Sequence, residues 1–234
     1  MTVPNKKAAA IIVGAGEGIR MGTSTRKQYM MLGDHPVLSH AVLAFEKCDA
    51  IEEIFLVIPA GDDVLCRKEI IDPLKLRKPI TLVPGGGTRQ ESVFNGLRAI
   101  DGKYELVAIH DGVRPLVRIK DIAECVRIAD KYGGCILALP ASDTIKTVDV
   151  DDRVVVTMKR HMIRMAQTPQ AFRYDLILEA HSTAQEDGYV GTDDAELAEL
   201  RGEAVKVIPG DPYNIKITTS EDLKLAEVLL TGRV

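Results

Sequence analysis

The sequence predicts an α/β protein: a Rossmann-like, mostly parallel twisted sheet with helices on both faces and a β-hairpin arm projecting from it. Three observations carry this reading. Short apolar runs alternate with amphipathic helical stretches as far as Leu139. Runs such as Ala8 to Val13 lack polar alternation, as strands covered on both faces do. Trp is absent and aromatics make up only 4%, so the core rests on Ile, Leu, Val and Ala. Strand, helix, strand at this pitch implies parallel pairing with right-handed crossovers.

The elements follow in order. Ala8 to Val13 reads as a buried strand, and Gly14 to Lys27 as a glycine-rich loop. Pro36 suits a helix start, and Leu38, Ala41, Val42 and Phe45 then keep helical spacing. Ile54 to Ile58 is a strand closed by Pro59-Ala60-Gly61. A helix from Asp62 to Ile71 precedes the strand Ile80 to Val83 and the loop Gly85-Gly86-Gly87. Thr88 caps a helix running to Ile100, Glu105 to Ile109 is the next strand, and Ile119 to Ala129 keeps one apolar helical face. After Leu139 the rhythm breaks. Thr144 to Val148 and Val154 to Met158 flank Asp149-Val150-Asp151-Asp152, which is a hairpin pattern. A lone hairpin is marginal in water, so residues 143–160 are expected to pack on a second subunit as a dimerisation arm of a single 1–234 domain. Ala204 to Ile208 and Asn214 to Thr218 read as strands, and Ser220 to Leu230 as a last helix.

Composition removes several function classes. The formal charge is −4, from 34 acidic and 30 basic side chains, and no block of Lys and Arg offers a nucleic-acid face. Cys48, Cys66, Cys125 and Cys135 lack metal-ligand spacing and read as buried thiols of a reducing compartment. The run after Lys6-Lys7 is too short for a signal peptide, and nothing approaches a membrane span, so a cytoplasmic protein is expected.

The first loop, Gly14-Ala15-Gly16-Glu17-Gly18-Ile19-Arg20-Met21-Gly22 with Lys27 beyond it, lets backbone N–H groups approach phosphate oxygens. A dinucleotide fingerprint would want glycine at position 19 and an acid ending the second strand, and this chain has Ile19 and Pro59-Ala60-Gly61. A P-loop would need G-K-[ST]. What remains is a phosphate loop with two cations, Arg20 and Lys27.

That loop resembles the nucleotidyltransferase pattern G-x-G-x-R-[ML] followed by lysine. Four further stretches narrow it: Gly85 to Val93, His110-Asp111-Gly112-Val113-Arg114-Pro115, Gln167-Thr168-Pro169-Gln170-Ala171-Phe172, and Asn214-Ile215-Lys216-Ile217-Thr218. Together, from Ala8 to about Leu230, they resemble the 2-C-methyl-D-erythritol 4-phosphate cytidylyltransferase family of the non-mevalonate isoprenoid pathway. The resemblance implies transfer of CMP from CTP to the sugar-alcohol phosphate with release of pyrophosphate. It further implies that Gly14, Ala15, Gly16 and Gly18, with Gly86, Gly87 and Ser92, hold the nucleotide. Arg20, Lys27 and Lys216 would surround the reacting phosphates as catalytic residues. Asp111 would hold Mg²⁺, and Asp111, Gly112, Arg114, Thr144, Arg160, Thr168 and Thr192 would line the sugar-phosphate site. Arg160 would come from the partner of a homodimer with shared active sites. Gly14, Gly87, Val113 and Ile163-Arg164 depart from the residues usual at those places.

Other readings compete with these. Ribitol-5-phosphate cytidylyltransferases share nearly the same motifs, and a non-catalytic nucleotide-binding protein would keep the loop without need of Arg20, Lys27, Asp111 and Lys216 together. His110 beside Ile109 reads as a packed structural histidine. Arg89 at a helix start would pair with Glu91 or Asp101, and Thr192 could cap a helix ahead of Asp193 and Asp194. Lys216, between two isoleucines of a strand, would point away from them. A phosphate monoester has its second pKa near 6 and is ionised at neutral pH, so no general base is expected.

Overall fold

The computed structural model describes residues 8–16 and 26–232. Strand β1 (Ala8–Val13) is fully apolar because both of its faces are covered. Its alternate residues serve two cores. Ala8, Ala10 and Ile12 pack with Leu38, Phe45, Ile122 and Val126 on one side. Ala9 and Ile11 pack with Phe55, Val93, Leu97 and Phe172 on the other.

A short hairpin, β2 (Met31–Leu32) and β3 (His35–Pro36), leads into α1 (Val37–Glu46). Strand β4 (Ile51–Ile58) follows, three residues longer at its start than the sequence pattern suggests. The expected helix after it is broken into α2 (Asp63–Cys66), a wider turn over Arg67–Ile71, and α3 (Asp72–Leu74). Strand β5 (Ile80–Pro84) precedes α4 (Arg89–Ile100), whose N-terminus Thr88 caps by accepting from the Glu91 N–H. Next come β6 (Leu106–Asp111), α5 (Ile119–Tyr132) and β7 (Gly134–Pro140). The arm is β8 (Lys146–Val148) and β9 (Val154–Thr157), a separate two-stranded sheet. Asp149 closes its turn, accepting through Oδ1 from the N–H groups of Asp151 and Arg153.

The rest is β10 (Arg164–Arg173), α6 (Tyr174–Glu186), α7 (Asp194–Leu200), β11 (Val205–Pro209) and α8 (Ser220–Thr231). The main sheet runs β11-β7-β10-β6-β1-β4-β5, parallel except that β10 lies antiparallel to β6 and β7. Strand β10 is absent from the sequence reading because Gln167, Thr168 and Gln170 interrupt its apolar pattern.

The strand expected at Asn214 to Thr218 does not form. The segment spends its polar groups otherwise: Asn214 Nδ2 donates to Thr168 O at 2.7 Å, the Ile217 N–H to Val113 O at 2.9 Å, and Thr218 Oγ1 to Asp222. The Ile217 side chain is buried in a satellite core with Leu32, Val37 and Val113. No helix among the described residues is long and apolar enough to cross a membrane.

Candidate active site

The carboxyl ends of β1, β4, β5 and β6 lie together, which is where open parallel sheets bind ligands. Register sets Val13 opposite both Val57 and Asp111, so the first loop leaves the sheet beside the Asp111 carboxylate. The Gly14 N–H is anchored to Val57 O at 2.7 Å. Gly85 is required by contact: a Cβ there would stand 2.3 Å from Ala15 Cβ, so the backbone of the second glycine loop packs directly on the Ala15 methyl of the first. The Gly86 N–H donates to Ser92 Oγ at 3.1 Å, which fixes the second loop to the start of α4.

These loops wall a cavity of about 600 Å³ lined by Gly14, Ala15, Gly16, Lys27, Gly86, Gly87, Ser92, Arg89, Asp111 and Lys216 among others. Gln28 Nε2 donates to Gly16 O at 2.9 Å, tying the turn that carries Lys27 to the end of the first loop. Gly18 and Arg20 lie outside the described residues. A second cavity of about 280 Å³ is lined by Arg89, Asp111, Arg114, Thr168, Gln170, Thr192, Asp193 and Lys216. Arg89, Asp111 and Lys216 border both cavities. The two spaces therefore meet at one knot of charge.

Asp111 is the centre of that knot. Its Oδ1 accepts from Arg89 Nε at 2.9 Å, and its Oδ2 lies 2.9 Å from Lys216 Nζ and 3.5 Å from Arg114 Nε. Burial pushes its carboxyl up, but Arg89, Lys216 and Arg114 overcome that and hold it well below the usual carboxylate range. It is an anion at any working pH. Arg89 does not pair with Glu91 or Asp101 as expected. Its Nη2 donates at 2.8 Å to Asp194, a carboxylate 1% exposed on the first turn of α7.

Thr168 sits behind Asp111, its Oγ1 accepting from the Asp111 N–H at 3.1 Å and lying 2.9 Å from His110 Nδ1. His110 Nε2 faces Arg114 O at 3.1 Å. Burial lowers the His110 pKa to about 4, so the ring is a neutral bracket between Thr168 and Arg114. Lys216 is positioned by its neighbours: Asn214 O accepts from Arg114 Nη1 at 2.8 Å, while Asn214 Nδ2 holds the backbone of β10.

Several expected residues lie off the cavities or have other partners than expected. Gly112 lines neither cavity; its N–H goes to Val13 O, and a Cβ there would meet Leu38 Cδ1 at 2.5 Å. Thr192 does not cap α7. Asp193 does, accepting from the Glu196 N–H at 2.9 Å, while the Thr192 hydroxyl donates to Glu196 Oε2 at 2.7 Å. Thr144 and Arg160 are exposed on the arm and border neither cavity of their own chain. Arg160 Nη1 donates to Ser142 O at 2.8 Å. Arg89 and Asp194 were missed as a pair because 105 residues separate them and no local pattern joins them.

Asp111 is also the candidate metal ligand. Among the described residues no group of three or more His, Cys, Asp or Glu could hold an ion alone. Mg²⁺ does not need one, since it commonly binds through one or two carboxylates and the phosphates of its substrate. One carboxylate held ionised at the junction of the two cavities fits that mode.

Fold and site together place the chain among the nucleotidyltransferases. The family model described as IspD, 2-C-methyl-D-erythritol 4-phosphate cytidylyltransferase, matches residues 8–232. A 2-C-methyl-D-erythritol 4-phosphate cytidylyltransferase of Pelotomaculum thermopropionicum is 44% identical, covering 97% of this chain and 95% of that one. One from Syntrophotalea carbinolica is 47% identical over 94% of each. The crystal structure of 4-diphosphocytidyl-2C-methyl-D-erythritol synthase from Anaerococcus prevotii aligns with a TM-score of 0.88 and 34% identity, over 98% of both chains. The chain belongs to the 2-C-methyl-D-erythritol 4-phosphate cytidylyltransferase family.

Proposed function

We propose that the protein joins 2-C-methyl-D-erythritol 4-phosphate to CTP and releases pyrophosphate, with CTP in the larger cavity and the sugar phosphate in the smaller. The observation that carries the arrangement is the border shared by the two cavities at Arg89, Asp111 and Lys216. An oxygen of the sugar's phosphate monoester attacks the α-phosphorus of CTP. A new P–O bond forms, the bond to the β-phosphate breaks, and pyrophosphate leaves in line. The attacking oxygen is ionised above about pH 6, so no side chain has to remove a proton.

The chain's task is therefore to bring two anions together and to stabilise charge that grows at phosphorus. Lys27, Lys216 and Arg20 do this. The glycine loops and Ser92 hold the nucleotide, and Thr168, Thr192 and Arg114 hold the sugar phosphate. Support for Arg114 comes from its place on the lining of the smaller cavity, beside Thr168 and Thr192. Asp111 would hold Mg²⁺ against the triphosphate, where the ion would neutralise charge on the phosphate oxygens.

Each site is completed by Arg160 and Thr144 from the arm of a second copy in a two-fold dimer. Val148, Val150, Val154, Val155 and Val156 are exposed on that arm, as apolar surface awaiting a partner would be. Mixing the enzyme with CTP and either methylerythritol or ribitol phosphate, and following pyrophosphate, tests the whole reading. The methylerythritol ester should react far faster, and CTP far faster than ATP or GTP. Equal turnover of ribitol phosphate, or of a purine triphosphate, overturns it.

A further inference from the structure

The chain surrounds one carboxylate, Asp111, with Arg89, Arg114 and Lys216. Three cations suit a triphosphate, but they oppose a divalent metal on the same carboxylate. The fold offers a counterweight at Asp194. Its Oδ2 takes Arg89 Nη2 at 2.8 Å, and its Oδ1 lies 3.2 Å from Nε2 of the fully buried His181. The Asp194 N–H is held by Gln170 Oε1 at 3.1 Å, and the same oxygen accepts from the Ala195 N–H. Burial pushes the Asp194 carboxyl up, but Arg89 and His181 outweigh it and keep its pKa near 2. Asp193 also borders the smaller cavity, yet its oxygens are engaged by Gln170 Nε2 and the Glu196 N–H. Among the described residues, Asp194 alone answers Arg89 from behind.

We infer that Asp194 is a positioning residue that sets the charge at the junction of the two cavities. It draws off half of the Arg89 guanidinium, so that Arg89 orients Asp111 through Nε without neutralising it toward a divalent cation. The inference rests on the proposed reading of Asp111 as a ligand of Mg²⁺. With Asp194 in place the cluster holds three cations and two carboxylates. Removing the Asp194 charge alone leaves an excess of two positive charges, removing Arg89 alone leaves none, and removing both restores an excess of one.

Mn²⁺ binding in the presence of CTP, followed by the resonance of the free ion without sugar phosphate, reads the first consequence. CTP binding in EDTA, followed by calorimetry, reads the second. Asp194→Asn should weaken Mn²⁺ by about tenfold and tighten metal-free CTP several-fold. Arg89→Gln should do the reverse. Arg89→Gln combined with Asp194→Asn should return Mn²⁺ affinity to within about threefold of the starting protein, since a buried pair is replaced together.

Structural damage would weaken both ligands in every variant, and that outcome overturns the inference, as does a double variant no better than Asp194→Asn. If Asp194→Asn does not fold, the opposite signs expected for Arg89→Gln and the recovery in the double variant still decide. If the unaltered enzyme binds no Mn²⁺ with CTP, the metal assignment of Asp111 fails, and the EDTA arm still tests Asp194.

Discussion

At the end of β6 the protein draws Asp111, Arg114 and Asp194 inside, whereas on the arm it leaves Val148, Val154, Val155 and Val156 outside. Each arrangement is costly on its own terms. A buried charge is costly unless paired, and exposed contiguous apolar surface costs free energy unless covered. The cluster resolves its cost within the chain, because every carboxylate in it meets a cation from another element. Among the described residues the arm's strands pair only with each other. The difference separates a charge cluster balanced within one chain from an apolar hairpin left exposed.

The largest expected effect tests the assembled side. Lys27 lines the larger cavity on a turn fixed through Gln28, and its proposed role is to stabilise charge that develops only in the transition state. Lys27→Ala should therefore lower kcat by roughly 10²-fold or more while KM for CTP changes little. Steady-state kinetics decide: a near-normal kcat with weak CTP binding would make Lys27 a simple binding residue.

The same contrast explains what could be read from the sequence. The glycine loops were legible because close approach of two backbone segments is a local matter, settled within a few residues around Gly14 and Gly85. The hairpin of the arm was legible for the same reason, as Asp149 fixes its turn from two and four residues away. The charge knot was not. Asp111 finds Arg89 across 22 residues and Arg89 finds Asp194 across 105, and only the fold brings them together. The strand expected at Asn214 to Thr218 failed from the opposite cause. Its apolar alternation is genuine, but Ile217 answers to a satellite core and not to a sheet.

An effect of intermediate size sharpens the arm's side of the comparison. If Arg160 acts in the partner's site, Lys27→Ala and Arg160→Ala homodimers should both be nearly inactive. After subunit exchange, half the dimers are mixed, and each mixed dimer carries one intact site. Roughly a quarter of the original activity should return. Native mass spectrometry would establish the exchange, and exchange without recovery would assign Arg160 to its own chain or to no catalytic role.

The smallest effect is expected at His110, which belongs to the cluster by position but not by charge. Burial lowers its pKa to about 4, although Asp111 and the Arg114 carbonyl favour the charged ring. Across an ordinary assay range the imidazole is therefore neutral. The profile of kcat/KM should rise through the substrate phosphate's pKa near 6 and stay flat to about 8. His110→Asn should leave that midpoint in place, and a moved midpoint or a new limb would show that His110 titrates in the reaction. Stability should respond instead. The unfolded ring has a pKa near 6.5 and the folded ring one near 4. Between those values the unfolded chain binds more protons, so stability is complete above about pH 6.5 and falls as pH drops toward 4. In metal-free buffer this one group should account for on the order of 2 kcal/mol between pH 7.5 and 4.5. Urea titrations at the two pH values should show His110→Asn losing less stability on acidification than the unaltered protein. Equal losses would mean that the ring is protonated in the folded state after all.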